Sequence, residues 1–288
     1  MKTNKQRLYG LAKAITPPII FSAYKASPLH RLAKLAFKNL GETSMKWHTV
    51  RGGILKGKNL LFSENGSWQK EMIDGTYDSF FFDYLKNEDL KDKTVFEIGA
   101  HIGYHALAFA ELVGVKGKVF AFEPNPHNAK YVRAITQENT ALSPRIEVIE
   151  AALSSNDGEE IFISSDKVEE GLSSGGFIGS ADTIWEKSTY EEKTGFTRST
   201  VKTLMLDTFI ASKKIHPGIL KIDVEGAEGR VLEGGREFLA AHSPLILVEI
   251  HSTPAMLDVL TLLSSLGYSW ELLKKEVDGR CFLAFRKS

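Results

Sequence analysis

Cysteine is nearly absent. Cys281 is the only one, so no intrachain disulfide can form, and a reducing compartment is expected. No stretch reaches the run of about 18 apolar residues that a membrane-spanning helix requires. A secretory leader is not expected either, because Lys13 and Pro17-Pro18 interrupt the apolar region it would need. Net charge is also missing. The 36 basic and 36 acidic residues cancel, which argues against a dedicated nucleic-acid binder. What remains is an ordinary globular composition, 43% hydrophobic, that supports a sizeable core and a cytoplasmic setting.

The zero average hides a dipole along the chain. Residues 1–41 hold Lys2, Lys5, Arg7, Lys13, Lys25, Arg31, Lys34 and Lys38 and no acid, so they carry +8. Residues 42–288 must then carry −8. Leu29, Leu32, Ala33, Ala36, Phe37 and Leu40 recur at helical spacing, with Arg31, Lys34 and Lys38 on the other face. One reading is a helix packed on the rest of the chain. The other is peripheral contact of residues 1–41 with an anionic membrane, at the inner face of the cell membrane. Low-salt flotation on anionic against neutral vesicles separates the two.

From Val95 onward, apolar strands alternate with helical segments, the pattern of a mostly parallel sheet with helices on both faces. Strands are expected at 95–98, 120–122, 146–153, 219–223 and 245–250. They are followed by a helix over 255–266 and a terminal antiparallel hairpin turning at Asp278-Gly279. Asn125 and Pro126 open a helix after the second strand, and Asp207 is expected to cap a short one. The division expected is a basic helical extension (1–46), a lead-in or cap segment (47–90) and a cofactor-binding domain (91–288). Residues 164–199 read as a long Ser/Gly/Thr-rich loop shaping the acceptor pocket.

Two of these strands end in acids. Phe96-Glu97-Ile98-Gly99-Ala100-His101-Ile102-Gly103 runs into a glycine-bearing turn, and Phe120-Ala121-Phe122-Glu123-Pro124 follows. Such a pair suits an adenosine cofactor lying across the carboxyl ends of adjacent parallel strands, its ribose diol held by the second acid. A nicotinamide dinucleotide wants a third glycine and tolerates no acid beside its pyrophosphate. Here Ala100, His101 and Ile102 separate Gly99 from Gly103, and Glu97 precedes the turn. S-adenosylmethionine has an ammonium for Glu97, a diol for Glu123 and no phosphate, so it fits both acids. A nicotinamide-dependent oxidoreductase and a non-catalytic cofactor-binding module of the same fold are the alternatives.

These two segments, together with Lys221-Ile222-Asp223-Val224-Glu225-Gly226-Ala227-Glu228, resemble the FkbM family of S-adenosylmethionine-dependent methyltransferases. Gly75-Thr76-Tyr77-Asp78 and Leu206-Asp207 extend the likeness, which runs from about 75 to 285. Glu97 stands where the family usually has Asp, and His101 where it usually has Asn. The resemblance implies a class I, Rossmann-like fold with a seven-stranded, mostly parallel sheet. It also implies O-methylation of a hydroxyl on a sugar, glycolipid, polysaccharide or natural product. The cofactor-binding set expected is Glu97, Gly99, His101, Gly103, Glu123, Asn125, Ala152 and Asp223.

An alcohol must lose a proton as it is methylated, and a positioned base accelerates this by about 10²–10⁴. His251 and Asp223 are the expected bases, with Lys221 and Glu225 orienting the acceptor. Asp223, Glu225, Glu249 and His251 also make a set that could hold a divalent cation against a diol. The metal-free reading is preferred.

Overall fold

A computed structural model describes residues 45–63, 67–165, 176–179 and 196–287. The basic extension, with the helix and membrane contact weighed for it, therefore lies almost wholly outside the described residues, as do residues 166–175 and 180–195 of the segment expected to be a loop. Ser44–Ser288 forms one compact unit. No described helix is long and apolar enough to cross a membrane.

The lead-in folds as the hairpin β1 (Lys46–Thr49) and β2 (Asn59–Phe62), then helices α1 (Ser67–Asp74) and α2 (Ser79–Leu85). The core follows as β3 (Thr94–Ile98), α3 (Tyr104–Leu112), β4 (Lys118–Phe122), α4 (Pro126–Glu138) and β5 (Ile146–Ile149). After a smaller sheet come α5 (Leu206–Lys213), β10 (Ile219–Ile222), α6 (Glu228–Glu233), α7 (Arg236–Ala241), β11 (Leu245–Ile250) and α8 (Thr253–Ser265). The hairpin β12 (Tyr268–Lys275) and β13 (Cys281–Lys287) completes a seven-stranded sheet ordered β12-β13-β11-β10-β3-β4-β5.

Strand periodicity divides the core. Val95, Val119, Ala121, Ile219 and Leu247 pack on one face with α3 and the lead-in. Phe96, Phe120, Phe122, Leu220 and Ile246 pack on the other, against α5 and α8. The chain order reverses between β3 and β10, which opens a crevice at the carboxyl ends of those strands. Gly99 lets them meet there. Its φ is 91°, and a Cβ would come within 1.8 Å of the Asp223 carbonyl oxygen.

Two expectations are corrected. Residues 146–153 are not one strand. The Ala151 N–H donates to the Ile149 carbonyl at 3.0 Å, a tight turn that carries the chain off the main sheet. Ala152–Leu153 becomes β6, joining a second sheet ordered β6-β9-β7-β8 with β7 (Gly158–Ser165), β8 (Phe177–Ile178) and β9 (Phe196–Leu204). Asp207, likewise, does not cap its own helix. The Asp157 carboxylate accepts from Met205 N and Thr208 Oγ1 at the start of α5. Asp207 instead accepts from the Glu237 and Phe238 amides, capping α7.

Candidate active site

The crevice holds a cavity of about 440 Å³, within the usual size for small-molecule sites. Gly99, His101, Glu123 and Ala152 border it on the β3–β4 side; Asp223, Glu225 and His251 border it on the β10–β11 side. Glu97, Gly103, Asn125 and Lys221, also expected at the site, lie outside its lining. Each supports a neighbour instead.

Glu97 is displaced by register. In the parallel β3–β10 ladder Glu97 is the direct partner of Lys221, so both side chains point to the α3 face of the sheet. Glu97 is fully buried there, and Lys221 Nζ lies 3.3 Å from its Oε1 and 3.0 Å from Asp223 Oδ2. His105 Nδ1 is 3.8 Å from Glu97, and His105 Nε2 is 3.3 Å from Asp78. Burial raises the Glu97 carboxyl against the pull of Lys221. Both oxygens of this enclosed carboxylate lack a hydrogen-bond partner among the described residues, although Lys221 and His105 lie close. Gly103 supplies the left-handed start of α3 (φ 79°), packed against Val132 and Ile135 of α4.

Glu123 faces the cavity, only 4% exposed. His101, on left-handed backbone (φ 50°), donates its N–H to Glu123 Oε2 at 2.7 Å. The Asn125 N–H donates to Oε1 at 2.9 Å, while the Asn125 side chain caps α4 by accepting from His127 N. Burial outweighs these bonds and pushes the Glu123 carboxyl up to about 7.

Across the cavity the charges interlock. His251 Nδ1–H donates to the buried Glu228 at 2.8 Å, and His251 Nε2 lies 3.4 Å from Glu249, 3.6 Å from Asp223 and 3.7 Å from Glu225. Burial alone would lower the imidazole pKa. The bonds to Glu228 and Glu249 reverse this and hold it well above its ordinary value. Asp223 is pushed up by burial but pulled further down by Lys221 and His251, to about 2. Among the described residues Glu225 has no Lys or Arg partner, and burial raises its carboxyl to about 7. The three groups therefore differ in proton affinity: His251 holds its proton tightly, Asp223 releases its proton readily and Glu225 lies near 7.

Backbone strain points the same way. Of the five described non-glycine residues with positive φ, three (Asp78, His101 and Glu225) line this cavity. Such conformations cost about 1–3 kcal/mol and concentrate at functional sites. Asp223, Glu249 and His251 bring ligand-type atoms within 4.8 Å of one another. They are already engaged by Lys221, Arg280 and Glu228 respectively, so the geometry does not call for a metal.

Several lining residues carried no assigned role in the sequence reading. Tyr77 and Asp78 were visible only as part of the upstream motif; Trp68, Lys274 and Arg280 had no signal at all.

A parallel sheet reversing at β3/β10, a ribose-type acid ending β4 and a terminal antiparallel hairpin define a class I methyltransferase. The family model described as the methyltransferase FkbM domain matches residues 97–270. The chain belongs to the FkbM family of methyltransferases, enzymes whose cofactor is S-adenosylmethionine. The nicotinamide reading falls with that assignment. The hexuronic acid methyltransferase AglP of Haloferax volcanii is 29% identical over 195 residues, covering 67% of this chain and 71% of that one. Among solved structures, an FkbM methyltransferase from Methylobacillus flagellatus superposes with a TM-score of 0.48 at 18% identity, over 68% of this chain. The chain spans only 44% of that protein's length. An S-adenosylmethionine-dependent O-methyltransferase from Thermotoga maritima gives a TM-score of 0.45 at 14% identity, covering 81% and 78% of the two chains.

Proposed function

We propose that this chain methylates a hydroxyl of a sugar acceptor, with a hexuronic acid residue of a glycan as the favoured class. The observation that carries the reading is Glu225, a carboxyl near 7 on left-handed backbone, facing the cavity 3.7 Å from His251 Nε2. The hexuronic acid activity of the Haloferax relative supports the acceptor class.

The donor set fits S-adenosylmethionine, which supplies an electrophilic methyl on a sulfonium. Glu123, fixed by two backbone N–H groups, retains lone pairs to accept from the ribose diol. Phe122, Ala152 and Leu153 offer an apolar border suited to an adenine ring. Asp223 and Glu249 place negative charge where a sulfonium would be held. Glu225, as a carboxylate, would accept the hydroxyl proton while the acceptor oxygen bonds the methyl carbon and the methyl–sulfur bond breaks, leaving Glu225 neutral and sulfur as the departing thioether. The His251 imidazolium, with Nε2 3.7 Å from Glu225, orients that carboxylate beforehand. Alignment and exclusion of water account for most of the remaining acceleration.

The test joins binding to turnover. Isothermal titration with S-adenosylmethionine and with NAD should show micromolar binding of the first alone. Release of S-adenosylhomocysteine should then depend on an added uronic acid glycoside. Binding without turnover on any sugar would sink the acceptor assignment, and binding of NAD alone would sink the cofactor.

A further inference from the structure

The cavity's cations come from one element. Among the described residues its only lysine and arginine are Lys274 and Arg280, both from the C-terminal hairpin, which also contributes Glu276, while the other lining carboxylates belong to the main-sheet strands, their ends and the lead-in. Arg280 is firmly held. Its Nε donates to Asp278 at 2.9 Å, its Nη1 to Glu249, and its backbone N–H to Asp278. Its Nη2 has no protein partner among the described residues, and the side chain remains one-third exposed. Three of the five guanidinium N–H donors, both of those on Nη2 among them, therefore have no partner among the described residues, while the other contacts lock the fork in place. Lys274 Nζ lies 5.0 Å above the Phe80 ring and 5.6 Å above that of Phe282. It pairs once, with Glu276, and leaves further N–H groups to donate.

From this arrangement we infer that Arg280 and Lys274 form the subsite that binds the acceptor's carboxylate and so selects a uronic acid over a neutral sugar. The inference rests on the sugar reading above but concerns binding rather than transfer. A guanidinium with a free Nη2 and the Lys274 ammonium of the same hairpin, both lining the cavity, offer charge-assisted donors to a carboxylate. Position argues for the same ligand. Arg280 touches Glu249, which lies 3.4 Å from His251, so a carboxylate bound at Nη2 keeps the sugar within one side chain of Glu225 and His251. A neutral sugar at this rim would leave both cations without an anionic partner from the acceptor, and that unmade contact is the source of discrimination.

The probes are 4-nitrophenyl β-D-glucuronide and 4-nitrophenyl β-D-glucoside, which differ in the C6 carboxylate. Their binding to the full chain saturated with S-adenosylhomocysteine is measured by titration, and methyl transfer is measured separately with S-adenosylmethionine. The glucuronide should bind about tenfold to a hundredfold more tightly than the glucoside, the difference made by one or two charge-assisted hydrogen bonds. Arg280→Gln should shrink the preference to within about threefold, and Arg280→Lys should restore part of it. Lys274→Gln, which leaves the Glu249 contact intact, should shrink it in part and guards against collapse of the Arg280 variant. Equal binding of the two probes, absence of glucuronide binding, or a preference that survives both substitutions would overturn the inference. A glucuronide preference in binding without methyl transfer would leave the subsite standing and remove the proposed reaction.

Discussion

Glu123 and Asp223 occupy equivalent places on the two sides of the crevice. Each directly follows a central parallel strand, each lines the same cavity, and each is substantially enclosed. Their carboxyls nevertheless diverge, to about 7 for Glu123 and about 2 for Asp223. Burial pushes both upward, so burial does not explain the difference. Partners do. Glu123 is held by neutral backbone N–H groups, whereas Asp223 has the Lys221 ammonium at 3.0 Å and the His251 ring at 3.6 Å. An ion in a low-dielectric setting outweighs dipoles of equal proximity. The β4 side therefore offers a carboxyl suited to hydroxyl groups, and the β10 side a permanent charge suited to a cation.

Glu225 extends the comparison, because it sits on the charged side yet has no lysine or arginine partner among the described residues. Glu225→Gln should lower the methyl-transfer rate by about 10²–10⁴ while leaving S-adenosylmethionine affinity within a few-fold. The remaining wild-type rate should rise with pH through about 7, as Glu225 loses its proton, and that limb should vanish in the variant. A rate unchanged by the substitution would return the base role to His251 or Asp223.

Lys221→Met removes the cation that separates the two sides. Glu97 and Asp223 would be left as adjacent buried acids, and urea unfolding should report a loss of about 3–5 kcal/mol. Pairing it with Glu97→Gln should recover part of that loss. Full stability of the single variant would show that the ion pair is not what lowers Asp223.

Glu123→Ala should weaken S-adenosylmethionine binding by about tenfold to a hundredfold, read by titration. The smallest effect concerns pH and stability. The Glu123 carboxyl is raised in the folded chain, so its contribution is full below its ordinary 4.5 and is lost as pH rises through about 7. Asp223 behaves oppositely. Its contribution is present above its ordinary 3.8 and is lost as pH falls through about 2. Glu123→Gln should flatten the decline in unfolding free energy between pH 4.5 and 7; an unchanged slope would place the carboxyl near its ordinary value.

Much of this was legible along the chain. The central strands announce themselves as buried apolar runs, and Asn125-Pro126 marks the start of α4 because capping is local chemistry. The cavity-facing place of Glu123 was legible because it directly follows such a strand. The pairing of Glu97 with Lys221 was not, since the β10 register sets it. The break at Ala151 was equally hidden. The apolar pattern continues through it, and only the turn bond to Ile149 diverts the chain.

The sequence by itself determined the sheet, the family and the identity of the acids and glycines at the strand ends, because periodicity, capping and turn chemistry act over a few residues. Only the tertiary structure decided which acids meet a cation. Lys221 reaches Glu97 across 124 positions, and Arg280 reaches Glu249 from a hairpin turn 31 positions away. Proton affinity in a buried site depends on charges within a few ångströms, and which charges arrive there is settled when distant segments pack.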